Sequence, residues 1–382
     1  MKTSKQLTLF EAAGIVAGYG IGGGVMAVPF LAARTGIFPA IGIILVCYAA
    51  SALLHLMIAE MSSASEGKQI LEIMTNYLFR GRLGGVLTWV FFALILFAFL
   101  ASLGAYIAGA GEILTELTGL HPLLCQLLFY LIAAGIVAFG LKVLGVSEKI
   151  AIIMIALVFA VLAVASFKAG LHPFPPAGGG FTETLALFGM VMFCFAAFFS
   201  VPQAAEGLAW NRKLTGRAVL LGIGINLVFI LVVTLLTLSV SEEVTRVAII
   251  GWASAIGAWA GILGSVIVFL AMLTSYWSIS YALATILKER LKWKHLVCWL
   301  AATVPTLLFV MSGMTDFLGF MRLAGGAIAI IVALLVVPTF RKFRAAVLPG
   351  EHWSMGPWGA TAFQVIVIIA YILMAAGSFV EI

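Results

Sequence analysis

Between residues 10 and 33 the chain carries an apolar segment long enough to cross a bilayer, whose hydrocarbon core takes about 20 helical residues. Yet five of the seven residues from Gly18 to Gly24 are glycine. Each glycine costs a helix about 1 kcal/mol relative to alanine. Unwound peptide groups left without partners in hydrocarbon cost several kcal/mol more. Such backbone is stable only where it lines a polar cavity and other groups satisfy it. One reading is a broken helix whose freed N–H and C=O groups hold a ligand. The other is a small-residue face for close helix packing. The segment alone does not choose between them.

Composition narrows the class. Of 382 residues, 64% are apolar and only 9% charged, against about 25% charged in soluble domains. The chain reads as a polytopic membrane protein, with no soluble domain and no cleavable leader. Cys47, Cys125, Cys194 and Cys298 each fall in a different apolar segment. Without metal-site spacing they read as small buried hydrophobes. The five histidines are scattered, so the clustered acid–base or metal chemistry of an enzyme is not expected. The net charge of +6 suits loops facing an anionic leaflet and does not suggest nucleic acid.

Hydropathy with loop punctuation predicts eleven spans, near 10–33, 38–61, 83–111, 122–141, 148–168, 184–209, 216–240, 254–287, 295–312, 317–340 and 358–380. The stretch 241–252 reads as a surface segment. With the N-terminus in the cytoplasm, 17 of the 21 basic residues face inward; Arg34, Lys168, Arg246 and Arg322 face outward. The positive-inside rule is obeyed, and an odd number of spans leaves the C-terminus outside. Transporters built from inverted repeats show a second interrupted span at the matching place in the other half. With five spans per repeat that place is the sixth span, where Pro202 lies deep in the sequence Phe193 to Glu206. A proline there removes a helical hydrogen bond and suits the first turn of a new helix. The expected fold is therefore all-α and a single transmembrane domain over 1–382. Repeat one covers about 10–168, repeat two about 184–340, and one further helix lies near 358–380.

The run Gly22 to Phe30, a Gly-small-Gly followed by aliphatics and Pro29, resembles the first-span signature of the amino acid/auxin permease family. Phe195 with Pro202 seven residues later is similar to that family's sixth span. Ala59-Glu60-Met61-Ser62 and the Glu206, Asn211 to Val219 stretch resemble motifs of the wider amino acid–polyamine–organocation superfamily, although the usual proline after the asparagine is missing. The resemblance implies the LeuT-type fold, with spans one and six broken, and secondary transport of amino acids through the cell membrane.

An amino acid zwitterion needs two opposite partners at mid-membrane. Helix N-termini with free N–H groups suit the carboxylate; unwound carbonyls suit the ammonium. Gly22, Gly23 and Gly24 are the carboxylate candidates, and the carbonyls around Phe195, Ala196 and Ala197 the ammonium candidates, with Ser200 in the same stretch. Phe195, Phe198, Phe199 and Tyr106 are candidates for an apolar lid; the plain alternative for each phenylalanine is packing. In the eighth span, Ala271, Thr274 and Ser275 can present hydroxyls and a carbonyl to a hard cation such as Na⁺. The opposing carbonyls are those of Gly18 and Ile21, with Ala17 and Gly20 as a one-residue alternative. The bland reading is that both hydroxyls bond back to the preceding helical turn. The arrangement resembles the sodium site of many LeuT-fold carriers. Proton-coupled relatives place a lysine here from the middle of span five, and residues 150–167 contain none, which favours Na⁺ symport over the proton-coupled alternative. His55 reads as a proton relay or a satisfied core histidine, Glu60 and Glu206 as partners of inner basic residues, and Arg34 with Asp316 or Arg322 as an outer gate. Neutral amino acids fit best as substrate.

Overall fold

A computed structural model describes residues 6–174, 176, 178–241, 244–245, 248–313, 335–347, 355–378 and 380. The chain starts with Leu9–Ile21 (α1), a short 3₁₀ turn over Gly23–Ala27, and Val28–Thr35 (α2). Thr8 and Glu11 close a reciprocal capping box at the start of α1, which satisfies two otherwise free amides. The helix stops where the glycines accumulate. Its continuation past the 3₁₀ turn is bent by 52°, and Pro29 occupies the first turn of α2, where its missing N–H is not needed.

Among the described residues, seven further helical stretches are long and apolar enough to cross a membrane: Ile37–Ala64 (α3), Gly84–Thr118 (α5), Leu141–Ala169 (α7), Phe181–Gly207, Arg212–Val240 (α10), Ala258–Leu291 (α12) and Thr361–Ser378 (α15). Ile70–Tyr77 (α4) forms a short helix between α3 and α5. Phe181–Gly207 is two helices, Phe181–Cys194 (α8) and Val201–Gly207 (α9), separated by non-helical residues and a 3₁₀ turn. Pro202 again lies in the first turn of the second piece. Two 17-residue apolar helices, Pro122–Ala138 (α6) and His295–Met311 (α13), stand where the fourth and ninth spans are expected. Most of the expected tenth span, with Asp316 and Arg322, lies outside the described residues; residues 335–346 (α14) are helical.

Two elements differ from the sequence reading. The fifth span begins at Leu141 rather than 148, so it extends about two turns further inward. The stretch read as a surface segment contains Ala248–Ala255 (α11), whose Trp252 is fully buried and donates from Nε1 to Thr237 Oγ1 at 3.0 Å. The acidic residues ahead of it suggest solvent; the apolar run from Ala248 to Trp252 decides the packing, because a buried indole N–H needs a partner and finds one.

α1 is the hub. It packs against α10, α7 and α12, and every residue from Glu11 to Ile21 is buried. α7 instead turns Leu157, Val161 and Val164 outward, as a lipid-facing helix requires. Glycines set the close approaches: a Cβ at Gly222 of α10 would stand 2.6 Å from the Ala13 carbonyl oxygen and 2.7 Å from Val16 Cβ. At the N-terminal end of α1 the Leu7 amide donates to the Gly207 carbonyl at 2.8 Å, and Glu11 pairs with Lys142 at 2.5 Å and Lys149 at 3.7 Å. Glu60 finds its basic partner in Arg344, through bonds of 2.8 and 3.0 Å, and also accepts from the Met355 amide at 2.9 Å.

Gly222→Val pushes branched carbon into the α1 backbone. Overpacking of this kind costs about 1–3 kcal/mol, so the melting temperature of the purified protein should fall by several degrees. An unchanged melting curve would show that α1 and α10 do not meet here.

Candidate functional site

The two interruptions meet each other beside α12; a Cβ at Gly20 would stand 3.0 Å from the Cys194 carbonyl oxygen. Ser275 spans the break in α1: its Oγ donates to the Gly18 carbonyl at 3.0 Å, lies 3.4 Å from the Tyr19 carbonyl, and accepts from the Gly22 amide at 3.2 Å. One hydroxyl thus bonds the backbone on both sides of the break. Gly22 has φ +28°, a conformation that side-chain-bearing residues rarely adopt. A Cβ there would stand 3.3 Å from the Tyr106 hydroxyl and 3.7 Å from Ser275 Oγ. Span six is patched similarly. Ser51 of α3 donates to the Phe195 carbonyl at 3.1 Å, and Ser200 Oγ donates to the Ala197 carbonyl at 2.5 Å.

Between the breaks lies a cavity of about 20 Å³, room for one water. Gly22, Gly24, Tyr106 and Ala196 line it, together with Phe193 and Ile279. Gly23 begins the 3₁₀ turn between them. The aromatic lid is differently built from the sequence expectation. Phe195 lies edge-on to Tyr48, Phe198 packs beside His55 and Tyr371, and Phe199 meets Phe99 at 4.8 Å between ring centroids. These three rings pack against neighbouring helices, while Phe193 and Tyr106 line the cavity.

The carbonyls expected to take the ammonium are partly engaged. That of Phe195 accepts from Ser51 Oγ and from the Ala197 amide at 2.8 Å; that of Ala197 accepts from the Ser200 amide and hydroxyl. On α12, Thr274 Oγ1 donates to the Ala271 carbonyl at 3.0 Å, so two expected cation ligands are bonded to one another. Ile21 ends α1. His55 is fully buried, with Nδ1 2.7 Å from the Ser51 carbonyl, while its Nε2 has no partner.

Three polar residues near the breaks escape the sequence reading. Glu148 of α7 is fully buried; Ser278 donates to its Oε1 at 2.6 Å, and its Oε2 has no partner. A Cβ at Gly18 would overlap that carboxyl group and stand 3.0 Å from Thr274 Cβ. The expected span of 148–168 leaves Glu148 at the membrane edge, whereas the real helix carries it inside. Asn226 of α10 is also buried, with neither side-chain atom bonded. A Cβ at Gly20 would overlap its amide. Ser102 of α5 lines the cavity. The available signal was polarity alone, since a polar residue inside a membrane segment is a functional candidate by default. Gly18, Gly20 and Gly22 therefore each admit a polar side chain from a different helix.

Paired interrupted helices around a small cavity, in a domain of long apolar helices, are the architecture of a multi-pass transporter. The chain belongs to the tryptophan/tyrosine permease family, which it matches over residues 5–377. It is 25% identical over 356 residues to glutamine transporter 2 of Aliivibrio fischeri (strain ATCC 700601 / ES114), covering 87% of this chain and 89% of that one. Its fold is similar to that of MhsT in complex with L-phenylalanine, with a TM-score of 0.66 and 16% identity over 98% of this chain and 100% of that one. It is also similar to Mhp1, a nucleobase-cation-symport-1 family transporter, at a TM-score of 0.64 and 14% identity over 97% and 91% of the two chains. The chain is a transporter and not an enzyme.

Gly22→Ala places a methyl group on a residue with positive φ, at a cost of about 1–3 kcal/mol. The variant should insert normally, yet melt several degrees below the wild type. Equal melting would mean that the turn relaxes to negative φ without loss.

Proposed function

We propose that this protein imports amino acids with uncharged side chains, aromatic ones foremost, by cation symport with alternating access. The observation that carries the reading is the pair of interrupted spans meeting at one cavity, with backbone amides on one side and carbonyls on the other. Family membership, the glutamine transporter relative and the phenylalanine-bound neighbour support it. No acidic or basic side chain lines the cavity among the described residues, which suits an uncharged side chain. The narrower likeness to amino acid/auxin permeases rests on the first- and sixth-span motifs. The charge asymmetry of the loops supports a cytoplasmic N-terminus and an outer C-terminus in the cell membrane.

The coupling ion in this reading is Na⁺, held between α1 and α12. Gly18, Ile21 and Ala271 would offer carbonyls; Thr274 and Ser275 would offer hydroxyls. Glu148 Oε2 adds a carboxyl oxygen beside Gly18, and oxygen ligands are what a hard cation favours. An ion between α1 and α12 ties the broken helix to its neighbour. It can shift the conformational balance only by its unequal affinity for the two states, and substrate and ion then strengthen each other equally. Glu148 also favours a second reading, proton symport, because a carboxyl group with one bare oxygen can carry a proton in place of a metal ion.

Uptake of labelled L-phenylalanine, L-tryptophan and L-glutamine into proteoliposomes tests both. A Na⁺ gradient should drive accumulation, and Thr274→Ala combined with Ser275→Ala should reduce its Na⁺ dependence by ~5–150-fold in apparent affinity. Accumulation that ignores Na⁺, follows an imposed pH gradient and is lost in Glu148→Gln would replace the sodium reading with the proton one. Failure to accumulate any amino acid under either gradient would refute import.

A further inference from the structure

Asn226 is the least explained polar residue near the centre of the molecule. It sits midway along α10, is 1% exposed, and neither Oδ1 nor Nδ2 has a hydrogen-bond partner. A primary amide has two donors and two acceptor sites, and burying such a group unpaired costs about 1–3 kcal/mol. An amide of that cost, with no partner among the described residues, is placed to bond a ligand.

Its position identifies the partner. The amide lies against Gly20, whose missing side chain makes the room for it, and a Cβ on Gly20 would also stand 3.0 Å from the Cys194 carbonyl oxygen. Gly20 and Cys194 both line the cavity. Cys194 is the last residue of α8, so its carbonyl belongs to the electronegative end of that helix. Two of the three carbonyls further along, those of Phe195 and Ala197, already accept bonds from serine hydroxyls. Cys194, like Ala196, lines the cavity, and its carbonyl is the one that stands against Gly20. No bond fixes which end of the Asn226 amide faces Gly20, so a half-turn about its last torsion presents Oδ1 there without breaking anything.

We propose that Asn226 is a substrate-binding residue, whose Oδ1 acts with the Cys194 carbonyl to hold the α-ammonium group of the transported amino acid. This rests on the amino acid reading above and adds to it a recognition group on a helix outside the two interrupted spans. The ammonium donates to two neutral oxygens at the C-terminal end of a helix, while the carboxylate meets the amides of Gly23 and Gly24. Gly20 is then a glycine because the ammonium-binding amide must pass it.

The test is equilibrium binding to the purified full-length protein by calorimetry, with L-phenylalanine, L-tryptophan and L-glutamine as ligands and 3-phenylpropionate as the analogue lacking the ammonium. Hydrogen bonds to a charged group are worth enough that Asn226→Ala should weaken amino acid binding by roughly tenfold or more. Binding of 3-phenylpropionate, already weak or absent in the wild type, should not weaken further. Asn226→Asp keeps the shape and an oxygen acceptor, so it should bind the amino acids at least as well as the alanine variant and guards against a trivial folding defect. Unchanged amino acid affinity in Asn226→Ala overturns the proposal, as does an equal loss for 3-phenylpropionate. If the wild type binds the amino acids normally and only these variants disagree, the transport reading stands and the ammonium assignment alone falls. If the wild type binds none of them, both fall.

Discussion

The structure depends on how a helix can be broken in hydrocarbon without leaving its backbone bare. In α1 the answer is one serine. Ser275 donates to the carbonyl before the break and accepts from the amide after it, so a single hydroxyl replaces part of a helical turn. Span six uses Ser51 and Ser200 for its freed carbonyls. Leaving such groups unpaired would cost about 1–3 kcal/mol each, and water is not there to help. The breaks can exist only where such hydroxyls are delivered, by α12 to α1 and by α3 to span six.

The glycines do more than unwind the chain. Gly14 admits the backbone of α7, with a Cβ there 3.2 Å from the Lys149 amide nitrogen. Gly18, Gly20 and Gly22 then admit Glu148, Asn226 and the Tyr106–Ser275 pair respectively. Close packing and ligand chemistry, which look like rival explanations of a glycine-rich membrane segment, are here consecutive. Small residues let neighbouring helices approach, and the approach delivers the polar groups. Glu11 with Lys142 and Glu60 with Arg344 join α1 to α7 and α3 to α14. Exposed ion pairs contribute little, but Glu60 is fully buried and its loss would leave an uncompensated guanidinium.

Much of this was legible beforehand. The apolar spans, the break at Gly22 and the discontinuity before Pro202 follow from length, glycine cost and the missing proline N–H. Ser275 was legible as a hydroxyl facing α1. For Thr274 two readings stood open, a cation ligand or a bond back to its own turn; its hydroxyl donates to the Ala271 carbonyl. Which phenylalanine lines the cavity was not legible: four lie within seven residues, 193, 195, 198 and 199, and once the helix unwinds its periodicity no longer says which one faces the cavity.

By itself the sequence determined that this chain lives in a membrane, where its helices run, and where two of them fail. These are local properties, set by hydrocarbon solubility and backbone torsions. Only the tertiary structure decided what meets at the failures. Glu148 and Asn226 are distant in the chain from the glycines they touch, and each looks ordinary in its own segment. Their meaning comes from helix packing, which brings a carboxyl and an amide from α7 and α10 against a stretch of α1 that has no side chains to keep them out.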